Sequence, residues 1–255
     1  MSPKSKMSIR DLSLFEESEE SLVKKMISSI LEKRGGRVLT INLDIFRQLY
    51  YLPNLRKYLA ESTYQVADGW PIVLFSWLEK KAWLPRITGA NLVLSLAKAA
   101  THHNLKIFLI GGAPLAAEKS RDFLIQLSEQ KLKVDYDPLP SGYDEFYLNQ
   151  LSEKLREFGP DLVFVAVGFP KAEELIEKFQ PVTPTAWFIG VGISLSYLAG
   201  LVIRAPRWAQ AVGIEWIFRL CQEPRRLFRR YILQDLPFLI KYFFSDFLLK
   251  SLFRK

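Results

Sequence analysis

The sequence predicts an α/β fold: a mostly parallel sheet with helices on both faces, followed by a helical C-terminal appendage. Three observations predict it. Short apolar runs at 38–43, 106–110, 133–136, 162–167 and 186–191 alternate with amphipathic stretches at about 46–60, 90–103, 114–130, 144–158 and 171–179. Parallel strands need a crossover between them, and a helix is the usual one. Three of the runs end in glycine-bearing turns that lead into helices. Beyond Pro206 the strand pattern stops and an aromatic, arginine-rich stretch begins.

Element by element, the chain opens with a short extended piece and a helix over 17–33, closed by Gly35-Gly36. The strand at 38–43 follows, then the helix at about 46–60. An apolar segment leads into Val66-Ala67-Asp68-Gly69, and Pro71 marks the start of another helix. The remaining strand–helix pairs run to 191. Leu236, Leu239, Ile240, Phe243, Phe244, Phe247, Leu248 and Leu252 then recur at helical spacing beside basic residues, as in a helix lying on a membrane surface. A helix packed on the core accounts for the same spacing. The expected division is a core over 1–205 and an appendage over 206–255.

Composition narrows the classes. Apolar residues make up 49% and charged residues 24%, a globular balance that excludes a disordered chain or a fibre. The lone Cys221 cannot form an internal disulfide and fits a reducing compartment. Residues 1–20 are polar, so no signal peptide is expected. The stretch 231–253 is broken by Gln234, Asp235, Pro237, Lys241, Asp246 and Lys250, short of the roughly 20 apolar residues a membrane span requires. A soluble or peripheral protein is expected. Residues 219–255 carry nine basic and three acidic side chains, so this tail holds +6 of the net +8. Such a tail suits a polyanion or an acidic lipid surface. Its amphipathic, aromatic character argues against nucleic acid.

The turns carry the chemistry. Gly111-Gly112, Gly168-Phe169-Pro170-Lys171 and Gly190-Val191-Gly192 each follow a strand and open toward a helix. There, backbone N–H groups can approach an anion at a helix N-terminus. Each alone reads equally as a structural turn; together they cluster along one sheet edge, where ligands of such sheets bind. Asp68, at the end of an apolar segment, can act as a general base on a hydroxyl or cap the helix that follows. Asp135-Tyr136-Asp137 has the spacing of a metal-binding acidic pair, but Pro138 follows at once. His102 and His103 sit in a polar surface stretch. No cofactor and no metal are expected.

These pieces, read together, resemble the WecG/TagA/CpsF family of bacterial glycosyltransferases. The matching stretches begin with Thr40-Ile41-Asn42, Ala67-Asp68-Gly69, Arg86-Ile87-Thr88-Gly89 and Leu109-Ile110-Gly111-Gly112. Next come Ser141-Gly142-Tyr143, Val167-Gly168-Phe169-Pro170-Lys171, Gly190-Val191-Gly192, Leu198-Ala199-Gly200 and Arg204-Ala205-Pro206. Gly213-Ile214-Glu215-Trp216-Ile217-Phe218-Arg219-Leu220, Glu223-Pro224-Arg225-Arg226 and Arg229-Arg230-Tyr231 complete the series. They keep family order from about residue 8 to 235.

The resemblance implies a Rossmann-like core and metal-independent, inverting transfer of a sugar of N-acetylmannosamine type. The donor would be a UDP-sugar and the acceptor a polyprenyl-diphosphate-linked sugar, in cell-surface polysaccharide synthesis. The expected location is the cytoplasm, at the inner face of the plasma membrane. Asp68 corresponds to the presumed base, and Thr40 and Asn42 to the same pocket. Arg219, Arg226 and Arg229 would close over the diphosphate. Arg86, Gly111, Gly112, Gly168, Pro170, Lys171, Glu173, Gly190, Gly192 and Arg204 complete the expected substrate-binding set.

Two positions depart from the family pattern. Ala172 stands where a glutamine is usual, and Leu195-Ser196 where the family has Phe-Asp. Each lost polar contact is worth roughly 0.5–3 kcal/mol. This points either to altered donor recognition or to a non-catalytic relative that binds nucleotide sugar or lipid and regulates polysaccharide assembly. An NAD-dependent oxidoreductase would share the sheet, but the required GxGxxG turn with its downstream acid is absent.

Overall fold

The computed structural model describes residues 7–80 and 83–244. Six strands, β1 (Gly36–Ile41), β2 (Tyr64–Ala67), β3 (Lys106–Gly111), β4 (Lys133–Asp137), β5 (Leu162–Ala166) and β6 (Trp187–Gly190), form one parallel sheet in the order β2-β1-β6-β5-β3-β4. Helices α1 (Glu19–Leu31), α2 (Leu43–Tyr51), α3 (Lys57–Glu61), α4 (Trp70–Lys80), α5 (Gly89–His103), α6 (Ala116–Leu127), α7 (Glu145–Phe158), α8 (Lys171–Phe179) and α9 (Ser194–Leu198) surround it.

Strand alternation sorts the core into two sides. In β5, Leu162 and Phe164 face the layer of α1, α5 and α6, while Val163 and Val165 face α7 and α8. In β1, Val38 joins the first layer, and Leu39 and Ile41 pack with α2, α3 and α4. Both faces are therefore buried, which is why the strands read as continuous apolar runs rather than alternating ones. The expectation of a parallel α/β sheet with helices on both faces holds.

Three local differences have physical causes. The helix expected at about 46–60 is two helices, because Pro53 opens a 3₁₀ turn over Pro53–Arg56. The strand expected at 38–43 is Gly36–Ile41, since Asn42 leaves it to cap α2, its Oδ1 accepting from the Ile45 N–H at 3.0 Å. The edge strand β2 was legible only as an apolar segment, being four residues long.

The chain continues through α10 (Arg207–Ala211), α11 (Glu215–Gln222) and α12 (Pro224–Phe228), a π-helical stretch over Arg229–Asp235, and α13 (Leu236–Lys241). Phe238 and Tyr242 are buried against Phe46 and Tyr50 of α2, with ring centroids 5.7 Å (Phe46–Phe238), 5.1 Å (Phe46–Tyr242) and 5.3 Å (Tyr50–Phe238) apart. A charged clasp reinforces this contact. Arg47 of α2 binds Asp235 at 2.9 Å and also pairs with Asp44, while Arg230 lies 3.4 Å from Asp44. Of the stripe read from the sequence, Leu236, Ile240 and Phe244 stay exposed. Leu239 and Phe243 of the same stripe are partly buried and pack against the core beside Phe238 and Tyr242. Phe247, Leu248 and Leu252 lie outside the described residues.

Candidate active site

All strands run parallel, so their carboxyl ends share one edge. From β3 the chain passes outward to β4, and from β5 it passes the other way to β6, so neighbouring strands part at this point. Such divergence opens a crevice. A cavity of about 1000 Å³ occupies it, walled by the ends of β1, β2, β3, β5 and β6 and closed on the far side by α11, α12 and the π-helical stretch.

Asp68 follows β2 directly. Its N–H donates to the Ile41 carbonyl at 2.8 Å, and the Gly89 N–H at the start of α5 donates to its carboxyl. The side chain is half-buried and faces the cavity. Burial drives its pKa from 3.8 up to about 6, against the opposing pull of Arg86 and the Gly89 hydrogen bond. A carboxylate so placed is a stronger proton acceptor than a surface aspartate yet remains mostly ionised above pH 7. Thr88 caps α5, its Oγ1 accepting from the Asn91 N–H at 3.3 Å.

Across the cavity stand cations. Glu215 of α11 pairs with Arg86 at 3.2 Å and with Arg204 at 3.7 Å. Arg204 also donates to the Asn91 Oδ1 at 2.8 Å and to Thr88 Oγ1 at 3.2 Å, so it is braced against the N-terminus of α5. Arg219 also lines the wall and makes no ion pair among the described residues. The Arg219 Nε and the Tyr197 hydroxyl are buried without a hydrogen bond, as is Glu223 Oε1, whereas the Nε atoms of Arg204 and Arg230 lie 3.7 Å from Glu215 and 3.4 Å from Asp44. Buried donors normally find partners, so Arg219 and Tyr197 are free to meet the oxygens of a ligand in this cavity.

Glu173 of α8 is 3% exposed and lines the cavity under β6. A Cβ on Gly190 would lie 3.3 Å from its Oε1, a tight contact that glycine avoids. Burial raises its pKa to about 7, moderated by Arg37. The turn at Gly112 has φ +101°, and a Cβ there would meet that of Ala116 at 2.9 Å, which keeps the backbone bare where β3 meets α6.

Of the residues singled out from the sequence, Asp68, Thr40, Asn42, Arg86, Gly112, Gly168, Glu173, Gly190, Gly192, Arg204, Arg219 and Arg226 line the cavity. Thr40 and Asn42 also serve the scaffold: Thr40 Oγ1 donates to the Gly190 carbonyl at 2.8 Å, and Asn42 caps α2. Gly111, Pro170, Lys171 and Arg229 lie outside the lining. Gly111 is buried beneath the turn, where its φ of +77° bends the chain. Lys171 points to solvent, and Arg229 projects outward while its neighbour Arg230 faces in. Adjacent helix positions point in different directions, and only the packed helix decides which faces the site. Asp44, Tyr197, Glu215, Arg230 and Tyr231 also line the cavity. Glu215 and Arg230 stood within recognisable stretches but carried no spacing signal of their own.

The acidic pair lies elsewhere. Asp137 accepts from the Leu139 N–H at 2.8 Å and the Tyr147 hydroxyl at 2.6 Å, and Asp135 lies 3.5 Å from Lys154. His102 and His103 are exposed at the end of α5. Among the described residues no three His, Cys, Asp or Glu side chains converge as a metal site would require.

Two comparisons with known proteins agree with this geometry. The sequence profile described as "Glycosyl transferase WecG/TagA/CpsF family" matches residues 7–251. The chain is also similar to the N-acetylglucosaminyldiphosphoundecaprenol N-acetyl-beta-D-mannosaminyltransferase of Bacillus spizizenii, strain W23. The two are 27% identical over 223 residues, covering 86% of this chain and 84% of the relative.

Proposed function

The chain belongs to the WecG/TagA/CpsF family of glycosyltransferases, and from that premise we propose that it moves an N-acetylmannosamine-type sugar from a UDP-sugar to a polyprenyl-diphosphate-linked N-acetylglucosamine. The substrates follow those named for the Bacillus spizizenii relative. One observation carries the chemistry: a carboxylate of raised basicity and a cluster of arginines line the same cavity, with Arg219 free of any ion pair among the described residues.

In the proposed step, Asp68 takes the proton of the acceptor hydroxyl. That oxygen attacks the anomeric carbon, and the bond to the diphosphate oxygen breaks on the opposite face with inversion. UDP departs with the bonding pair. Arg204, Arg219, Arg226 and Arg230, with the N-terminus of α5, supply the positive charge that the leaving group needs, so no metal ion is required. Arg86 and Arg204 are locked by Glu215, which ties α11 to the core. The lipid-linked acceptor and the tail's basic, amphipathic character support a reaction at a membrane surface. The cytoplasmic face fits the nucleotide-sugar donor. No described helix is long and apolar enough to cross a membrane.

Retention of Asp68 and the cation group favours catalysis over a purely regulatory role, despite Ala172 and Ser196. The test is UDP release from a panel of UDP-sugars with a short-chain lipid-diphosphate-N-acetylglucosamine acceptor, with and without EDTA. The anomeric configuration of the product is read by NMR. Acceptor-dependent, EDTA-resistant release of UDP with an inverted product supports every part. UDP-sugar binding without turnover would replace it by the regulatory role.

A further inference from the structure

We propose that the core itself, and not only the C-terminal tail, rests on an anionic bilayer through a tryptophan face built by α4 and α10. The inference deepens the reading of a lipid-linked acceptor and rests on it.

On α4, Ile72, Val73 and Phe75 are buried, whereas Leu74 and Trp77 are exposed on the side that also carries Trp70. These three positions, four and three residues apart, form one helix face. Trp83 extends it: its ring lies 6.5 Å from Trp77 and 6.1 Å from Trp70, and it remains 63% exposed. Trp70 joins this face to the appendage. Its Nε1 donates to the Gln210 carbonyl at 2.8 Å, and Gly213 packs so closely on its ring that a Cβ there would lie 2.9 Å from Cδ1. Beside Gly213, Val212 and Trp208 are exposed, with Trp208 set against Phe218 at 6.1 Å. Trp70 thus joins the exposed rings of α4 to the exposed apolar residues of α10 across the seam.

Its position and chemistry select the occupant. Trp70 and Trp216 both line the cavity, so the face borders the site where a lipid-borne diphosphate would be held. Basic side chains at Arg207, Arg225 and Arg229 are exposed on the same appendage, complementing acidic headgroups. Tryptophans favour the headgroup boundary, where the apolar ring is buried and the indole N–H stays hydrated. The core would therefore hold the cavity at the height of the headgroups while the exposed residues of α13 engage alongside.

The test is co-sedimentation with vesicles of phosphatidylcholine and phosphatidylglycerol for the full chain, Trp77→Ser/Trp83→Ser and Trp77→Tyr/Trp83→Tyr. Turnover of a soluble short-chain acceptor is measured in parallel. The serine pair should bind vesicles at least about tenfold more weakly, given the ring area withdrawn from water, with soluble turnover unchanged. The tyrosine pair should bind nearly as the parent does. Wild-type-like vesicle binding by the serine pair, or no vesicle binding by the parent, overturns the proposal. So does self-association of the parent that the serine pair abolishes, which would assign the face to a second copy. Transfer to the soluble acceptor without tryptophan-dependent vesicle binding removes this inference alone. Tryptophan-dependent vesicle binding without transfer to any acceptor removes the catalytic reading and leaves the surface.

Discussion

Replacing Asp68 by Asn separates catalysis from stability in a way that an ordinary structural aspartate would not. The amide keeps an acceptor for the Gly89 N–H and nearly the same volume, but cannot take a proton. Loss of a general base typically costs 10²–10⁴-fold in rate, so turnover should fall by at least about 100-fold while UDP binding persists. Stability should move the other way. The folded pKa, about 6, is raised above the ordinary value of 3.8. The folded state therefore binds the proton more tightly than the unfolded chain, and stability is lost as pH rises from the unfolded value through the folded one. The roughly two-unit shift makes the charged carboxylate cost about 3 kcal/mol above pH 7, and at pH 4 only about 0.5 kcal/mol. The variant should regain those amounts. For a chain of this size the gain at pH 8 corresponds to a rise in Tm of roughly 6–12 °C. Urea melts of both proteins at pH 8 and pH 4, alongside UDP-release rates, read the two effects. An equal midpoint shift at both pH values, or a loss of stability at pH 8, would refute the assignment of a strained, buried base. Parent turnover should also rise with pH through about 6, a limb the variant lacks.

Other expectations follow from the same geometry. Arg219→Ala removes charge-assisted donors worth about 1.5–3 kcal/mol, so UDP affinity by calorimetry should drop roughly 10- to 150-fold with little change in Tm. Glu173→Gln removes a buried carboxyl whose pKa is raised from 4.5 to about 7, so stability should increase at pH 8 and not below pH 4.5, measured by urea midpoint. Arg47→Ala leaves Asp235 buried with a poorer partner and should cost about 3–5 kcal/mol. Limited proteolysis should then release the C-terminal helix before the core is cut.

Local patterns carried much of the fold. The apolar runs of β3, β5 and β6 are buried on both faces and stand out for that reason, and the glycine turns mark the same ends that wall the cavity. β2 did not stand out, because four residues at a sheet edge carry too short a pattern. The two histidines were legible as surface residues from their polar neighbourhood, whereas the scaffold contacts of the acidic pair, Asp137 with Tyr147 and Asp135 with Lys154, were not. By contrast, the C-terminal stripe signalled amphipathicity without saying which face docks. Phe238 and Tyr242 pack on α2 with Leu239 and Phe243 of the stripe beside them, while Leu236, Ile240 and Phe244 stay outside.

What the sequence by itself determined is the set of pieces: alternating strands and helices, glycines where the chain must turn tightly, a carboxylate after one strand, and a basic aromatic tail. These are local, written in spacing and residue type within a few positions. Only the tertiary structure decided which pieces meet. It brought Glu215 between Arg86 and Arg204, turned Arg230 inward and Arg229 outward, and set Asp68 at the cavity wall, where partial burial pushes its pKa up. Burial and helix rotation depend on packing between segments more than 100 residues apart, such as the pair Arg86 and Glu215. No window along the chain contains that information.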